Sequence, residues 1–181
     1  AKHWEQVTIS DEARSKIELS HRLMCKAVEN GERVYGINTG FGKFADVPIS
    51  LENLAELQRN LVRSHSAGVG PSFSQEEVRA AMLLRANALA RGMSGVRPQV
   101  VETIVEMLNK GVTPFVPEKG SVGASGDLCP LSHLAITLIG LGDVVYKGKK
   151  MSTKEVLSLT GMKPVELMPK EGLALNNGTT V

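Results

Sequence analysis

A chain of 181 residues can build a substantial core, and 42% apolar against 22% charged residues is the balance of an ordinary globular protein, not a disordered one. Twenty-one basic and 19 acidic residues leave a formal charge of +2, which gives no case for a nucleic-acid partner. No apolar run approaches a membrane span, and two cysteines, Cys25 and Cys129, are too few for a disulfide framework.

Unpaired cysteines and an opening without an apolar signal core point to a cytoplasmic protein. The missing initiator Met and the ending Asn177-Gly178-Thr179-Thr180-Val181 suggest an excised or truncated piece. Ser10 with Asp11 and Glu12 starts a helix whose stripe of Ile17, Leu19, Leu23, Met24, Ala27 and Val28 runs to Asn30-Gly31. Val34 to Phe44 holds glycines at 36, 40 and 42 and is expected to be a structured loop carrying Tyr35. Tyr35 is then either a functional phenol or a packed ring with a satisfied hydroxyl.

Ser50 is expected to cap a helix over 51–65 with Leu51, Leu54, Leu57, Leu61 and Val62 inward. That helix stops before Gly68 and Gly70, leaving His65 at its end, either as a ligand contact or as a terminal hydrogen-bonding group. Ser74 and Glu77 form a capping box for a helix over 75–91, with Val78, Ala81, Met82, Leu84, Ala88 and Leu89 buried and Arg79, Arg85 and Arg91 reaching solvent. Met82, Met93 and Met107 read as core filler. Pro98 opens another helix that Gly111 ends, and Pro130 starts one over 131–141. Val144 to Met151 reads as a hairpin turning near Gly148, and Ser152 or Thr153 caps a short helix ended by Gly161. With no internal repeat and no linker, the chain is expected to be one mainly α domain with irregular glycine-rich loops.

Gly120-Ser121-Val122-Gly123-Ala124-Ser125-Gly126-Asp127-Leu128 is the most unusual stretch. Glycines at 120, 123 and 126 permit turns closed to larger residues. The amide nitrogen of Gly126 could approach the carbonyl carbon of Ala124 across Ser125. The other reading is a glycine-rich turn capped into a helix.

Four segments then agree. Tyr35 to Gly42, Asn60 to Gly70, Gly120 to His133 and Leu173 to Thr179 together resemble the N-terminal part of the ammonia-lyases acting on histidine and aromatic amino acids. The resemblance implies the helical N-terminal domain of the aromatic amino acid lyase and fumarase–aspartase-like superfamily, spanning 1–181 and ending before a central helical bundle. It implies that Ala124-Ser125-Gly126 cyclises with loss of two waters to 4-methylideneimidazol-5-one, with no metal and no external cofactor. Tyr35 would be the general base, and Asn177, Asp127 and Leu128 would support the prosthetic group. Ser64 and His65 resemble the pair of histidine ammonia-lyases, so His65, with Ser64 and Gly42, would meet the substrate. The implied reaction takes L-histidine to trans-urocanate in a cytoplasmic homotetramer, with an aromatic lyase or 2,3-aminomutase as the alternative. A non-catalytic piece with an unmatured loop is the rival from another class. Cys129, Asn176 and Thr180 depart from the family's usual residues, and the isolated piece is expected to be inactive.

Overall fold

The computed structural model describes residues 5–123 and 126–181, apart from the side chain of Leu51. Helix α1 (Asp11–Glu29) begins as expected: the Ser10 hydroxyl accepts from the Ala13 amide at 3.2 Å, and Asn30 closes the other end. Ile17 and Met24 are buried, but Leu19 and Leu23 are more than half exposed, so the buried stripe is narrower than the sequence suggested.

The next helix departs at its start. A single 3-10 turn (Leu51–Asn53) precedes α2 (Leu54–His65), and no side chain caps α2. Ser50 Oγ instead accepts from the Asn53 side chain at 2.9 Å. On α2 the buried residues are Leu54, Gln58 and Val62.

Helix α3 (Gln75–Ala90) carries the capping box, with Ser74 and Glu77 bonded reciprocally. It also reverses an expectation. Arg79 and Arg85 are buried and Leu84 is exposed, because both guanidinium groups find carbonyls inside the fold. Helix α4 (Pro98–Lys110) buries seven residues, among them Val100, Val101, Ile104 and Met107, and Gly111 ends it in the left-handed region at φ 69°. Met82 and Met107 are fully buried, whereas Met93 is 82% exposed and is not core.

Helix α5 (Leu128–Leu138) starts three residues before the expected point, with Pro130 in its first turn. No intrahelical bond is lost there, since first-turn amides have no acceptor within the helix. Five short strands accompany the helices: β1 (Val69–Ser72), β2 (Thr113–Pro114), β3 (Pro117–Lys119), β4 (Asp143–Tyr146) and β5 (Lys149–Ser152). β4 and β5 form the expected hairpin, and Lys147 (φ 49°) and Gly148 (φ 75°) make its turn. A two-residue turn with both φ positive matches the right-handed twist of the flanking strands. β2 pairs antiparallel with β4, and β1 with β3.

Ser152 caps α6 (Thr153–Thr160), and Gly161 terminates it. The chain then reaches a six-residue helix, α7 (Glu171–Asn176), which is buried throughout. Side chains of α3, α4 and α5 form half of the core, joined among others by Ile17, Val62 and Leu175. Each fully buried aliphatic side chain there contributes about 1.5–3 kcal/mol relative to exposure. Among the described residues, no helix is long and apolar enough to cross a membrane.

Candidate functional site

Helix α7 is the scaffold of the site, and buried polar groups fix it. Glu171 is fully buried and meets Arg97 in a fork: Nε to Oε1 at 2.9 Å and Nη2 to Oε2 at 2.8 Å. The amides of Arg97 and Met168 also donate to the carboxylate, at 3.0 and 2.8 Å. Hydrogen bonding to Glu171 raises the pKa of the Arg97 guanidinium further above its usual value. Gln58 of α2 accepts from the Leu173 amide at 3.1 Å, and Asn176 Nδ2 donates to Ser132 Oγ of α5 at 3.3 Å. Asn176 is therefore an interhelical tie where an aliphatic residue would only fill space.

Asn177 leaves the end of α7 beside the glycine-rich loop. Gly126 is buried with φ 122°, and a Cβ there would lie 2.8 Å from the Gly178 carbonyl oxygen and 2.9 Å from Asn177 Oδ1. Only glycine fits. The Asp127 amide donates to the Gly178 carbonyl at 2.6 Å, and Asp127 Oδ1 accepts from Ser121 Oγ at 2.9 Å. Asp127 and Leu128 thus join the loop to α5. Ala124 and Ser125 lie outside the described residues. The cradle of Gly126, Asn177 and Gly178 fits a backbone that must turn tightly without a side chain.

The Tyr35 loop docks on the same helix. Gly36 (φ 70°) packs so closely on α7 that a Cβ would overlap Leu173 Cδ2. Tyr35 is 51% exposed, stands edge-on to Phe41 with ring centroids 6.2 Å apart, and its hydroxyl oxygen accepts from the Gly42 amide at 3.4 Å. Gly42 itself opens a 3-10 turn (Gly42–Phe44).

His65 ends α2 with its Nδ1 2.9 Å from the Leu61 carbonyl and 3.1 Å from Ser64 Oγ. A carbonyl only accepts, so in the neutral ring Nδ1 carries the proton and Nε2 presents a lone pair. Ser64 also donates to Leu61 O, at 3.0 Å. The structure brings Asn177 to Gly126 and Gly178 to Asp127, seats the Tyr35 loop on α7, and couples Ser64 to His65. It gives no hydrogen bond between His65 and the described members of the Gly126–Asn177 cradle.

A further residue, His133 of α5, ties that helix to the segment that follows α2. Its Nε2 accepts from the Gly68 amide at 2.9 Å, and burial holds its pKa below the usual value. The unfolded chain therefore binds a proton that the folded chain refuses between the depressed folded value and about 6.5. In that window stability rises with pH, and is lost as pH falls below about 6.5. Thermal melts across this range are expected to show that slope in the native protein and a flatter one in His133→Gln. Cys129 fills the adjoining space: a Cβ at Gly120 would lie 2.5 Å from its Sγ, and one at Gly68 3.3 Å.

The expectation that arginines reach solvent missed Arg85, a buried cation on α3. Its Nη2 donates to the carbonyls of Ala174 and Asn177, the latter at 2.8 Å. Burial lowers its pKa to about 10. An apolar hollow of about 270 Å³ lined by Phe73, Val78, Val116, Pro130 and Leu134 reaches Thr180 and Val181. It includes none of Tyr35, His65, Gly126 or Asn177 and is separate from the site.

A model of the family described as aromatic amino acid lyase matches residues 1–181. The histidine ammonia-lyase of Alkaliphilus oremlandii is 50% identical over 180 residues, covering 99% of this chain and 36% of that protein. Among solved structures, the histidine ammonia-lyase of Trypanosoma cruzi superposes with a TM-score of 0.89 at 41% identity, over 99% of this chain and 34% of its own. The tyrosine aminomutase of Streptomyces globisporus superposes with a TM-score of 0.92 at 44% identity, over 99% and 34%. This chain thus spans about a third of the length of the proteins it matches.

Proposed function

The chain belongs to the aromatic amino acid lyase family, and we propose that the full-length protein containing it eliminates ammonia from L-histidine to give trans-urocanate. The observation that carries the reading is the cradle in which Asn177 and Gly178 close on Gly126 and leave no room for a side chain there. It supplies the tight backbone geometry that cyclisation of Ala124-Ser125-Gly126 needs. The resulting 4-methylideneimidazol-5-one would provide an electrophilic carbon that makes the substrate amine a better leaving group.

Elimination breaks the Cα–N and Cβ–H bonds of the amino acid, so a base must take the β-proton. Tyr35 is the chain's candidate, and its oxygen accepts from the Gly42 amide at 3.4 Å, which fixes where the ring's hydroxyl stands. Asn177 holds the Gly126 side of the loop, and Asp127 and Leu128 anchor it to α5. His65, with Ser64 fixing its ring, presents Nε2 to an imidazole N–H, which favours histidine over a hydrocarbon ring. The domain 1–181 is on this reading the portion that carries the prosthetic group, and a homotetramer completes the site.

The test is incubation of the full-length protein with L-histidine. Urocanate absorbance should rise, and the intact mass should fall short of the sequence mass by two waters. An unshortened mass with no product would overturn the reading. The likeness to a tyrosine aminomutase supports a second reading, in which the amine returns at the β-carbon; a β-amino acid product would select it.

A further inference from the structure

We propose that Arg85 is a positioning residue that sets Asn177 and Gly178 against Gly126 and thereby governs closure of the Ala124-Ser125-Gly126 ring. The inference rests on the lyase reading above and adds a residue to it.

The geometry is a relay through backbone. From the buried face of α3, Arg85 Nη2 donates to the carbonyls of Ala174 and Asn177, two of the groups that the end of α7 leaves without helical partners. A helix C-terminus carries partial negative charge, so a cation there is favoured. Nη1 lies directly beneath Gly178, where a Cβ would overlap it. Gly178 in turn accepts from the Asp127 amide at 2.6 Å and stands against Gly126. Moving the guanidinium shifts the Asn177-Gly178 peptide, and that shift reaches Gly126 with no intervening side chain.

The burial also argues for a specific role. Burying a cation is costly unless its donors are satisfied. Arg85 Nε has no hydrogen-bond partner among the described residues, and no carboxylate pairs with the group. A methionine would fill much of the same space without desolvating a charge. What the planar head supplies is two nitrogens in one fixed plane: Nη2 holds both carbonyls while Nη1 lies under Gly178.

The experiment compares the full-length protein with Arg85→Met and Arg85→Lys, by intact mass and by steady-state kinetics with L-histidine. Arg85→Met is expected to leave most chains at their full sequence mass and to lower kcat by about a hundredfold with KM little changed. Arg85→Lys, which keeps the charge but not the fork, should mature partially. If Arg85→Met does not fold, Arg85→Lys decides: full maturation at native kcat overturns the proposal, and partial maturation with unchanged KM upholds it. A folded Arg85→Met that matures fully and turns over as the native protein does also overturns it. A native protein that never loses two waters sinks the lyase reading instead, so the two failures are distinct.

Discussion

Replacing Tyr35 with phenylalanine in the full-length protein is expected to lower kcat for L-histidine by about a hundredfold to ten-thousandfold. The change removes one oxygen whose hydrogen bond is with the Gly42 amide at 3.4 Å, on a ring that is half exposed. Fold and stability should therefore be almost untouched, and the edge-on contact with Phe41 survives. Because Ala124-Ser125-Gly126 lies elsewhere in the chain, the two-water mass loss expected on the proposed reading should persist. Intact mass and kcat measured together separate this outcome from failed maturation. A Tyr35→Phe protein with native turnover would remove Tyr35 from the chemistry.

The largest effect on stability is expected at Glu171. Truncation to alanine strips Arg97 of both carboxylate oxygens and leaves the amides of Arg97 and Met168 without their acceptors. Breaking a fully buried pair from one side costs about 3–5 kcal/mol; the Arg97 side chain is 25% exposed and regains some hydration, so a loss near the lower figure is expected. The urea midpoint should fall accordingly with little change in slope. Glu171→Gln keeps the shape and one acceptor oxygen, so it should lose less. A Glu171→Ala protein as stable as the native one would show that Arg97 finds another acceptor, such as the Glu166 carbonyl it already meets at 2.5 Å.

Where local chemistry decides, the sequence was legible. Ser10, the Ser74–Glu77 box, Ser152, Gly111 and Gly161 sit at the helix ends expected of them, and the β4–β5 turn falls at Lys147-Gly148. Capping and turn residues satisfy groups within a few positions of themselves, so their meaning survives without tertiary information. Ser50 failed because the chain makes a 3-10 turn first and α2 starts at Leu54.

Arg85 was misread, and Gln58 passed over, for a different reason. Arg85 lies in the register Val78, Met82, Arg85, Leu89, and Gln58 in the register Leu54, Gln58, Val62. Both stand on apolar faces at helical spacing, a signal that was present. It was overruled by the expectation that polar side chains seek water. What the periodicity could not contain was the partner of each: Ala174 and Asn177 for Arg85, the Leu173 amide for Gln58. α7 escaped notice because six residues are too few to display a helical period. The strands β1, β2 and β3, of two to four residues, are likewise defined only by their pairing. Of the site, the residue types and segments were legible. The convergence of α3 and the Gly126 loop on the end of α7 was not.

That convergence has a chronology. Arg85 grips a carbonyl 92 positions later in the chain, and the amide after Gly126 waits for the carbonyl of Gly178. During synthesis on the ribosome, the glycine-rich loop is exposed well before its neighbours exist. Gly126 and Asp127 meet their partners only after translation has passed Gly178. The contacts that Gly126 and Asp127 make with Gly178 therefore form only after more than 50 further residues have been added.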